Sequence, residues 1–170
     1  MRVGIGYDSH RFAGGRPLIL GGVTIPNPRG LAGHSDADAV AHAIADAILG
    51  AAALGDIGQL YPDTDPAFRN ADSMTLLADV HGRVKAIGWQ LHQTDVTVIV
   101  DAPKLAPHVA AMKARIAEVL GVGPDAVSIK AKTNEGMGFI GRHEGIAVLA
   151  VATLAASEAV SGATAGAPAR

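Results

Sequence analysis

One segment, HSDADAVAHAIAD at residues 34–46, constrains the fold of this chain more than any other. Its apolar residues recur at four-residue spacing, which predicts a helix with a buried stripe of Val40, Ile44 and Ile48. Ser35, followed three residues later by Asp38, resembles a capping box, so we expect the helix to begin after Ser35.

The polar residues of this helix repeat at the same spacing, offset by two positions, as Asp38, His42 and Asp46. At about 100° per residue they lie roughly 200° from the apolar stripe, on the face away from the core. The simplest interpretation is a solvated helix face, because such faces are normally polar. The alternative is a binding site, because His42 lies between two carboxylates.

The N-terminal segment supplies a second pair of polar residues. Apolar residues at positions 3, 5 and 7 alternate with Gly4, Gly6, Asp8 and His10, so a strand directs Asp8 and His10 to the same face. With His42 they offer three ligands, and a zinc ion with three protein ligands keeps a fourth position for water or substrate. An Asp-x-His pair alone is more typical of a hydrogen-bonded Asp and His, so the residues leave both interpretations open.

The composition restricts the chemistry. The 170 residues include no cysteine, so any metal must be held by His, Asp or Glu. The formal net charge is −2 and there is no long basic run, which argues against a nucleic-acid partner. The N-terminus lacks a signal-peptide pattern, and the longest apolar run, residues 145–156, is too short for a membrane-spanning helix. We therefore expect a cytoplasmic enzyme or binding protein with no membrane partner.

Two segments before residue 72 do not have the pattern of a helix. Residues 18–25, LILGGVTI, predict a hairpin around Gly21-Gly22. Residues 55–71 contain too many Gly, Pro and Asp residues for regular structure, and the length of this loop suggests a function.

Two further helices are predicted. The first has Asp72 as its N-cap and Gly88 as its end, and the second is opened by Pro107 and ended by Gly121. The apolar stripe of the first consists of Leu76, Val80, Val84 and Ile87.

Strands alternate with these helices. Residues 91–100 and 127–133 alternate as strands do, whereas residues 145–158 are compatible with either a long buried strand or a helix. Because the early hairpin must be antiparallel, we expect an α/β (α+β) fold with a mixed sheet packed against about three helices. Residues 1–158 then form a single domain, and the Gly/Ala/Pro-rich residues 159–170 form a disordered tail.

Five longer motifs are spread along the chain. They are G-Y-D-S-H at 6–10, H-S-D-A-D-A-V-x-H-A at 34–43, G-D-I-G-Q-L-Y-P-D-T-D-P at 55–66, D-V-T-V-I-V-D-A-P-K at 95–104 and K-T-N-E-G-M-G-F-I-G-R at 132–142. In these motifs the chain resembles the 2-C-methyl-D-erythritol 2,4-cyclodiphosphate synthase family. The resemblance runs in register from residue 1 to about residue 158.

The resemblance implies a metal-dependent phosphorus–oxygen lyase of the non-mevalonate isoprenoid pathway. Such an enzyme cyclises 4-diphosphocytidyl-2-C-methyl-D-erythritol 2-phosphate to 2-C-methyl-D-erythritol 2,4-cyclodiphosphate and releases CMP. The resemblance also implies zinc on Asp8, His10 and His42, and a second divalent ion, Mg²⁺ or Mn²⁺, on Glu135.

The family pattern further implies the residues that act on the substrate. His34 and Thr133 match the catalytic stabilisers of the transition state, and Ser35 donates beside His34. The residues that match contacts to the methylerythritol hydroxyls are Asp56, Ile57, Gly58, Tyr61, Pro62, Asp63, Thr64 and Asp65. Those that match the cytidine pocket are Val100, Asp101, Ala102, Pro103, Lys104, Leu105 and Ala106. The remaining implied substrate contacts are Asp8, Ser9, His10, Lys132, Asn134, Glu135, Phe139 and Arg142.

Simpler interpretations exist for several of these positions. Without the resemblance, His34 is a loop histidine, residues 55–66 are a surface turn, and Lys104 is a surface lysine. Asp101 departs from family members that carry a neutral residue there, and recognition through the backbone should tolerate it. Lys132 and Asn134 stand where other members have threonines.

The resemblance also implies a homotrimer, in which the metal site of one subunit faces the cytidine pocket of its neighbour. Phe139, Arg142 and Glu144 match residues around an axial cavity, where Phe139 and Arg142 contact an isoprenoid diphosphate. In the simpler interpretation Phe139 is a core residue and Arg142 pairs with a carboxylate. The competing functions are a zinc-dependent phosphoesterase acting on a nucleotide diphosphate and a trimeric ligand-binding protein without turnover.

Overall fold

The computed structural model describes residues 1–157, so the predicted tail at residues 159–170 lies outside the described residues. The strands are β1 (Arg2–Ala13), β2 (Leu18–Leu20), β3 (Val23–Ile25), β4 (Gly30–Leu31), β5 (Trp89–Ile99), β6 (Val127–Lys132) and β7 (Gly145–Ala156). The α-helices are α1 (Ala39–Ala52), α2 (Ile57–Leu60), α3 (Ser73–Ala86), α4 (Val109–Leu120) and α5 (Gly138–Gly141). Short 3-10 turns lie at Pro66–Phe68, Ala106–His108 and Pro124–Ala126.

A five-stranded mixed sheet with the order β4-β1-β7-β5-β6 forms the centre of the fold. β7, which the sequence left open between strand and helix, is a strand that pairs antiparallel with both β1 and β5. The predicted hairpin is present as β2–β3, but it forms a separate two-stranded sheet. The expected mixed α/β fold is therefore confirmed. Our reason for it was wrong, because the antiparallel hairpin is not part of the main sheet, and the parallel pair β5–β6 is what makes that sheet mixed.

Helix α1 packs against β1, β7 and β5 on one face of the sheet. The contact with β1 is unusually close, because a Cβ atom on Gly6 would lie 1.9 Å from the carbonyl oxygen of Ala43. Val3, Ile5 and Tyr7 alternate with the glycines and point to the opposite face, where they are 67%, 69% and 55% exposed. The alternation predicted for β1 therefore separates a helix-covered face from an open apolar face.

Helix α1 begins later than expected. Its N-cap is Asp38 and not Ser35, because the Asp38 carboxylate accepts hydrogen bonds from the N–H groups of Val40 and Ala41. The same carboxylate is fully buried and also accepts hydrogen bonds from the N–H groups of the Gly21-Gly22 turn, at 2.9 and 2.6 Å. The expectation of a solvated helix face is wrong at Asp38, because the hairpin turn covers it.

We expect Asp38→Asn to lower the free energy of unfolding by about 1–3 kcal/mol. An amide nitrogen would replace one of the carboxylate oxygens, which would leave a buried backbone N–H of the hairpin turn without an acceptor. Chemical denaturation measures the loss. The control is Glu118→Gln, which removes an exposed ion pair with Arg115 and should cost less than about 0.5 kcal/mol. Equal losses in the two variants would contradict this role of Asp38.

The other two long helices differ from the prediction only at their ends. Asp72 caps α3 as predicted, because its carboxylate accepts a hydrogen bond in the first turn. Ile87 does not belong to the buried stripe, since α3 ends before it and its side chain is 49% exposed. Pro107 lies in a 3-10 turn just before α4, and Gly121 ends α4 with a φ of 63°. Within residues 1–157 no helix is long and apolar enough to cross a bilayer.

Candidate active site

The predicted site residues lie at one edge of the sheet, where three strands end. β1 and β5 both run antiparallel to β7, and β6 runs parallel to β5. The carboxyl ends of β1, β5 and β6 therefore share one edge. Asp8 and His10 lie toward this end of β1, while residues 100–106 and 133–135 directly follow β5 and β6.

The tightest cluster at this edge consists of Asp8, His10 and His42. Asp8 Oδ2 lies 2.9 Å from His10 Nε2 and 3.0 Å from His42 Nδ1, and the two nitrogens are 3.4 Å apart. Donor atoms that bind one zinc ion at about 2.0–2.2 Å are roughly 3.4 Å from one another, so this set fits such an ion. The predicted convergence of these side chains is confirmed as a candidate metal site.

The outer nitrogens of the two imidazoles are also hydrogen-bonded. His10 Nδ1 lies 2.7 Å from the carbonyl oxygen of Ala32, which can only accept, so Nδ1 carries a proton. His42 Nε2 lies 2.8 Å from Ser73 Oγ. Such contacts fix the orientation of the rings and leave His10 Nε2 and His42 Nδ1 directed at Asp8, as in metal-binding histidines.

The charges of the cluster favour an ionised carboxylate. Burial alone would raise the pKa of Asp8, but hydrogen bonds and charge interactions with His10 and His42 lower it well below its usual range. Burial alone would lower the pKa of His10, but the hydrogen bond and the charge of Asp8 raise it. Asp8 is therefore a carboxylate at neutral pH, which is the form that binds a cation.

A pocket of about 290 Å³ opens beside the cluster. Residues of the predicted set that line it are His10, His34, Ser35, His42, Ile57, Gly58, Tyr61 and Asp63. His34 Nε2 lies 3.0 Å from the carbonyl oxygen of Asp65, to which it donates. This bond leaves the Nδ1 atom of His34 for a ligand.

The segment 55–71, predicted to be irregular, contains α2 and a 3-10 turn. The side chains of Asp56 and Asp65 cap these two short elements. The N–H of Ile57 donates to Asp46 Oδ1 at 2.7 Å, so the start of α2 is attached to α1. The polar face of α1 thus holds the pocket wall in place instead of facing solvent.

Tyr61, which lines the pocket, is held by contacts at its ring and at its hydroxyl group. The ring packs edge-on against Phe68, with the ring centroids 5.2 Å apart. The hydroxyl group donates to the Asp79 carboxylate on α3. Burial and this hydrogen bond raise the pKa of Tyr61 to about 12, so the side chain stays neutral.

A second pocket, of about 150 Å³, lies at the ends of β5 and β6. Residues of the predicted set that line it are Val100, Asp101, Pro103, Lys104, Leu105, Ala106, Lys132 and Thr133. Within residues 1–157 this pocket and the first share no lining residue. The predicted contacts to the methylerythritol and to the cytidine therefore lie in separate pockets of the single chain.

Asp101, the departure from the family pattern, binds the loop that follows β6. Its carboxylate accepts hydrogen bonds from the N–H groups of Asn134 at 2.6 Å and Gly136 at 3.1 Å. Between them Glu135 has a φ of 51°, and its carboxylate accepts a hydrogen bond from Thr133 Oγ1 at 2.8 Å. Asp101 therefore fixes the loop that carries Glu135.

Phe139 and Arg142 lie after this loop, near the start of β7. Phe139 is 40% exposed, so its interpretation as a core residue is wrong. With Ser9 and Glu144 it lines a pocket of about 360 Å³. Arg142 pairs with Glu144 at 2.7 Å, as the simpler interpretation predicted.

Ser73 and Asp36, which lie beside the candidate metal site, were not predicted from the sequence. Ser73 is 1% exposed and contacts His42 from the first turn of α3, and its hydroxyl group donates to Asp36. The one available signal was that Ser73 follows the N-cap Asp72. Packing of α3 against α1 brings Ser73 to His42, and no local pattern shows that packing.

Comparison with known proteins identifies a matching family and similar relatives. A model of the YgbB family matches residues 1–155. The 2-C-methyl-D-erythritol 2,4-cyclodiphosphate synthase of Gemmatimonas aurantiaca is 55% identical over 156 residues, which cover 92% of this chain and 94% of the relative.

Solved structures of similar proteins have the same fold. A 2C-methyl-D-erythritol-2,4-cyclodiphosphate synthase in its CDP-bound form is 40% identical with a TM-score of 0.83, and the match covers 91% of this chain and 100% of that chain. The bifunctional IspDF of Campylobacter jejuni is 48% identical with a TM-score of 0.87. The match covers 90% of this chain but only 42% of the bifunctional chain.

Proposed function

The chain belongs to the YgbB family of 2-C-methyl-D-erythritol 2,4-cyclodiphosphate synthases, and from that premise we propose how its residues carry out the family reaction. It cyclises 4-diphosphocytidyl-2-C-methyl-D-erythritol 2-phosphate to 2-C-methyl-D-erythritol 2,4-cyclodiphosphate with release of CMP. The observation that carries the mechanism is the convergence of Asp8, His10 and His42 beside a pocket that predicted substrate contacts line.

The nucleophile of this reaction is already an ionised phosphate, so the obstacle is repulsion between anions. At 4 Å and an effective dielectric constant of 20, each pair of unit charges repels by about 4 kcal/mol. We assign zinc to Asp8, His10 and His42, and Mg²⁺ or Mn²⁺ to Glu135. When bound, the two cations neutralise phosphate charge and align the attacking and leaving groups.

The remaining catalytic roles fall to groups that border the pockets. We assign stabilisation of the transition state to His34 and Thr133. His34 donates its Nε2–H to the carbonyl oxygen of Asp65, so its Nδ1 atom is the one left to face a phosphate oxygen. Ser35 Oγ accepts a hydrogen bond from the N–H of Ala37, and we assign its hydroxyl proton to a phosphate oxygen of the bound substrate.

The methylerythritol and the cytidine fall to different pockets. We assign the methylerythritol hydroxyls to residues 56–58 and 61–65, and the cytidine to residues 100–106. Lys132 and Asn134 lie beside Thr133 at the end of β6, the segment that we assign to the phosphates. CDP is bound by a relative of this fold, which supports a cytidine nucleotide as ligand. The Asp101 carboxylate binds the loop after β6, so it leaves recognition of the base to backbone groups of residues 100–106.

We propose a homotrimer in which one subunit's metal site faces the cytidine pocket of the next. Two observations support it: the separation of the two pockets, and the open apolar face of the sheet, where Ile5 pairs with Val151 and Tyr7 with Leu149. These four side chains are between 38% and 69% exposed in the single chain. Sedimentation equilibrium should give three times the mass of the chain. A monomer that is fully active would contradict the shared site.

The axial ligand and the cellular location were also predicted from the sequence, and both remain proposals. The pocket lined by Ser9, Arg11, Phe139 and Glu144 is our candidate for an isoprenoid diphosphate at the trimer axis, with Phe139 and Arg142 as contacts. The cytoplasmic location also stays a prediction.

The decisive experiment incubates the purified protein with the cytidine substrate, with and without a chelator, and identifies products by phosphorus-31 NMR. We expect the cyclic diphosphate and CMP in equal amounts, and neither after chelation. CMP without the cyclic product would indicate a zinc-dependent phosphoesterase. Ligand binding without any CMP would indicate a binding protein.

Glu135→Gln should raise the Mg²⁺ concentration needed for half-maximal activity by about tenfold, because a neutral amide is a weaker ligand than a carboxylate. The amide keeps an oxygen that accepts from Thr133, so the loop should retain its position. The measurement is a Mg²⁺ titration of the initial rate, with Glu118→Gln as the control. An unchanged titration in Glu135→Gln would exclude this residue as the second metal ligand.

A further inference from the structure

We propose that Ser73 and Asp36 position His42 for metal binding, by holding the ring in the tautomer whose Nδ1 lone pair faces Asp8 and His10. This inference rests on the proposed zinc site. It concerns two residues to which the family resemblance assigned no role, and it gives a reason for the buried hydroxyl group at the start of α3.

The direction of each hydrogen bond follows from the chemistry of its ends. The Asp36 carboxylate can only accept, so the Ser73 hydroxyl group must donate to it. Ser73 Oγ then has only lone pairs left for His42 Nε2, which lies 2.8 Å away. His42 must therefore donate from Nε2, and the neutral ring is left with its lone pair on Nδ1, the atom 3.0 Å from Asp8 Oδ2.

Asp36 is itself held on several sides. Its Oδ2 accepts a hydrogen bond from the N–H of Ser73 at 3.1 Å, and its Oδ1 accepts one from the N–H of Asp38 at 3.1 Å. Its own N–H donates to the carbonyl oxygen of Ala71 at 3.0 Å. The Asp36 carboxylate, which ends the series of hydrogen bonds from His42 through Ser73, is thus fixed relative to both α1 and α3.

Ser35 offers His42 a second, weaker acceptor. Its Oγ lies 3.2 Å from His42 Nε2, against 2.8 Å for Ser73 Oγ. Loss of the Ser73 hydroxyl group therefore leaves one alternative partner. We expect a single substitution to loosen the ring, and substitution of both serines to have the larger effect.

The test measures zinc affinity without substrate, by competition with a chromogenic chelator. We expect Ser73→Ala to bind zinc about tenfold more weakly than the wild type, and Ser35→Ala/Ser73→Ala about a hundredfold more weakly. Ser73→Thr keeps the hydroxyl group and should restore most of the affinity. Asp36→Asn keeps one acceptor oxygen and should show a loss smaller than that of Ser73→Ala; it provides a second measurement if Ser73→Thr does not fold.

Asp72→Ala is the matched control. Asp72 caps the same helix, but its carboxylate accepts from the N–H of Met74 and makes no hydrogen bond to His42 among those of residues 1–157. We expect its zinc affinity to stay within about twofold of wild type, even though α3 is weakened. An equal loss of affinity in Asp72→Ala and Ser73→Ala would show that helix stability, not the hydrogen bond, is responsible, and would overturn the proposal.

Nitrogen-15 NMR of the imidazole gives a readout that a purely structural role would not move. In the wild type we expect His42 with its proton on Nε2, and in Ser35→Ala/Ser73→Ala a mixture of tautomers. Wild-type zinc affinity in a folded Ser73→Ala protein would refute the proposal. A wild type that binds zinc but forms no cyclic product would refute the proposed function and leave this inference intact.

Discussion

In Asp8→Asn and His42→Ala variants we expect bound zinc to fall close to zero and CMP formation to fall by about 10³-fold or more. Each substitution removes one of three protein ligands from the candidate metal site. A metal ion contributes several kcal/mol of charge stabilisation, and each 1.36 kcal/mol corresponds to a factor of ten in rate. The measurements are metal analysis of the dialysed protein and a single-turnover assay of CMP release.

The fold should survive both substitutions. Asp8→Asn is isosteric, and His42 lines the pocket beside the cluster, so His42→Ala enlarges that pocket and does not open an enclosed cavity in the apolar core. His92→Ala and Asp125→Asn are suitable controls, because these residues lie outside the site and should keep zinc content and rate unchanged. Full zinc stoichiometry in both Asp8→Asn and His42→Ala would refute the assignment of the ligands.

The second large effect concerns stability. We expect Gly6→Ala to lower the free energy of unfolding by about 4 kcal/mol or more. The added Cβ atom would lie 1.9 Å from the carbonyl oxygen of Ala43 and 2.7 Å from the backbone nitrogen of Ala47. These are backbone atoms in the middle of α1, so no side chain can rotate away and the helix has to move from the sheet.

The measurement is thermal unfolding of apo protein, where 4 kcal/mol corresponds to roughly 8–16 °C for a domain of this size. The control is Gly82→Ala in α3, where a Cβ atom would meet nothing within 4 Å. Alanine is the better helix former, so this variant should gain up to about 1 kcal/mol. A Gly6→Ala protein as stable as the wild type would show that α1 and β1 do not depend on this close approach.

The parts of the site that the sequence predicted well are those set by local periodicity. The two-residue repeat of β1 places Asp8 and His10 on the same face of the strand, and the four-residue repeat of α1 places His42 one turn from Asp38 and Asp46. Periodicity alone left a metal site and a hydrogen-bonded Asp and His both open. The family resemblance was needed to predict that these side chains converge on a metal.

The errors come from contacts between distant segments. Asp38 was expected on a solvated face because its neighbours along the chain give no sign that the Gly21-Gly22 turn would cover it. Ser73 was missed for the same reason. Ile87 was included in a stripe because periodicity continues past Ala86, although the helix does not. In each case tertiary packing, which a local pattern does not contain, decides the outcome.

The three polar residues of α1 also bear on how proteins of this kind can diverge. Asp38 binds the hairpin turn, His42 contacts Asp8 in the candidate metal site, and Asp46 binds the start of α2. Successive members of this set are one helical turn apart. A single inserted or deleted residue between Asp38 and Asp46 would rotate everything beyond it by about 100°. At least one of the three partners would then be lost. This stretch can change by substitution but not in length, so gaps in related sequences should fall outside it.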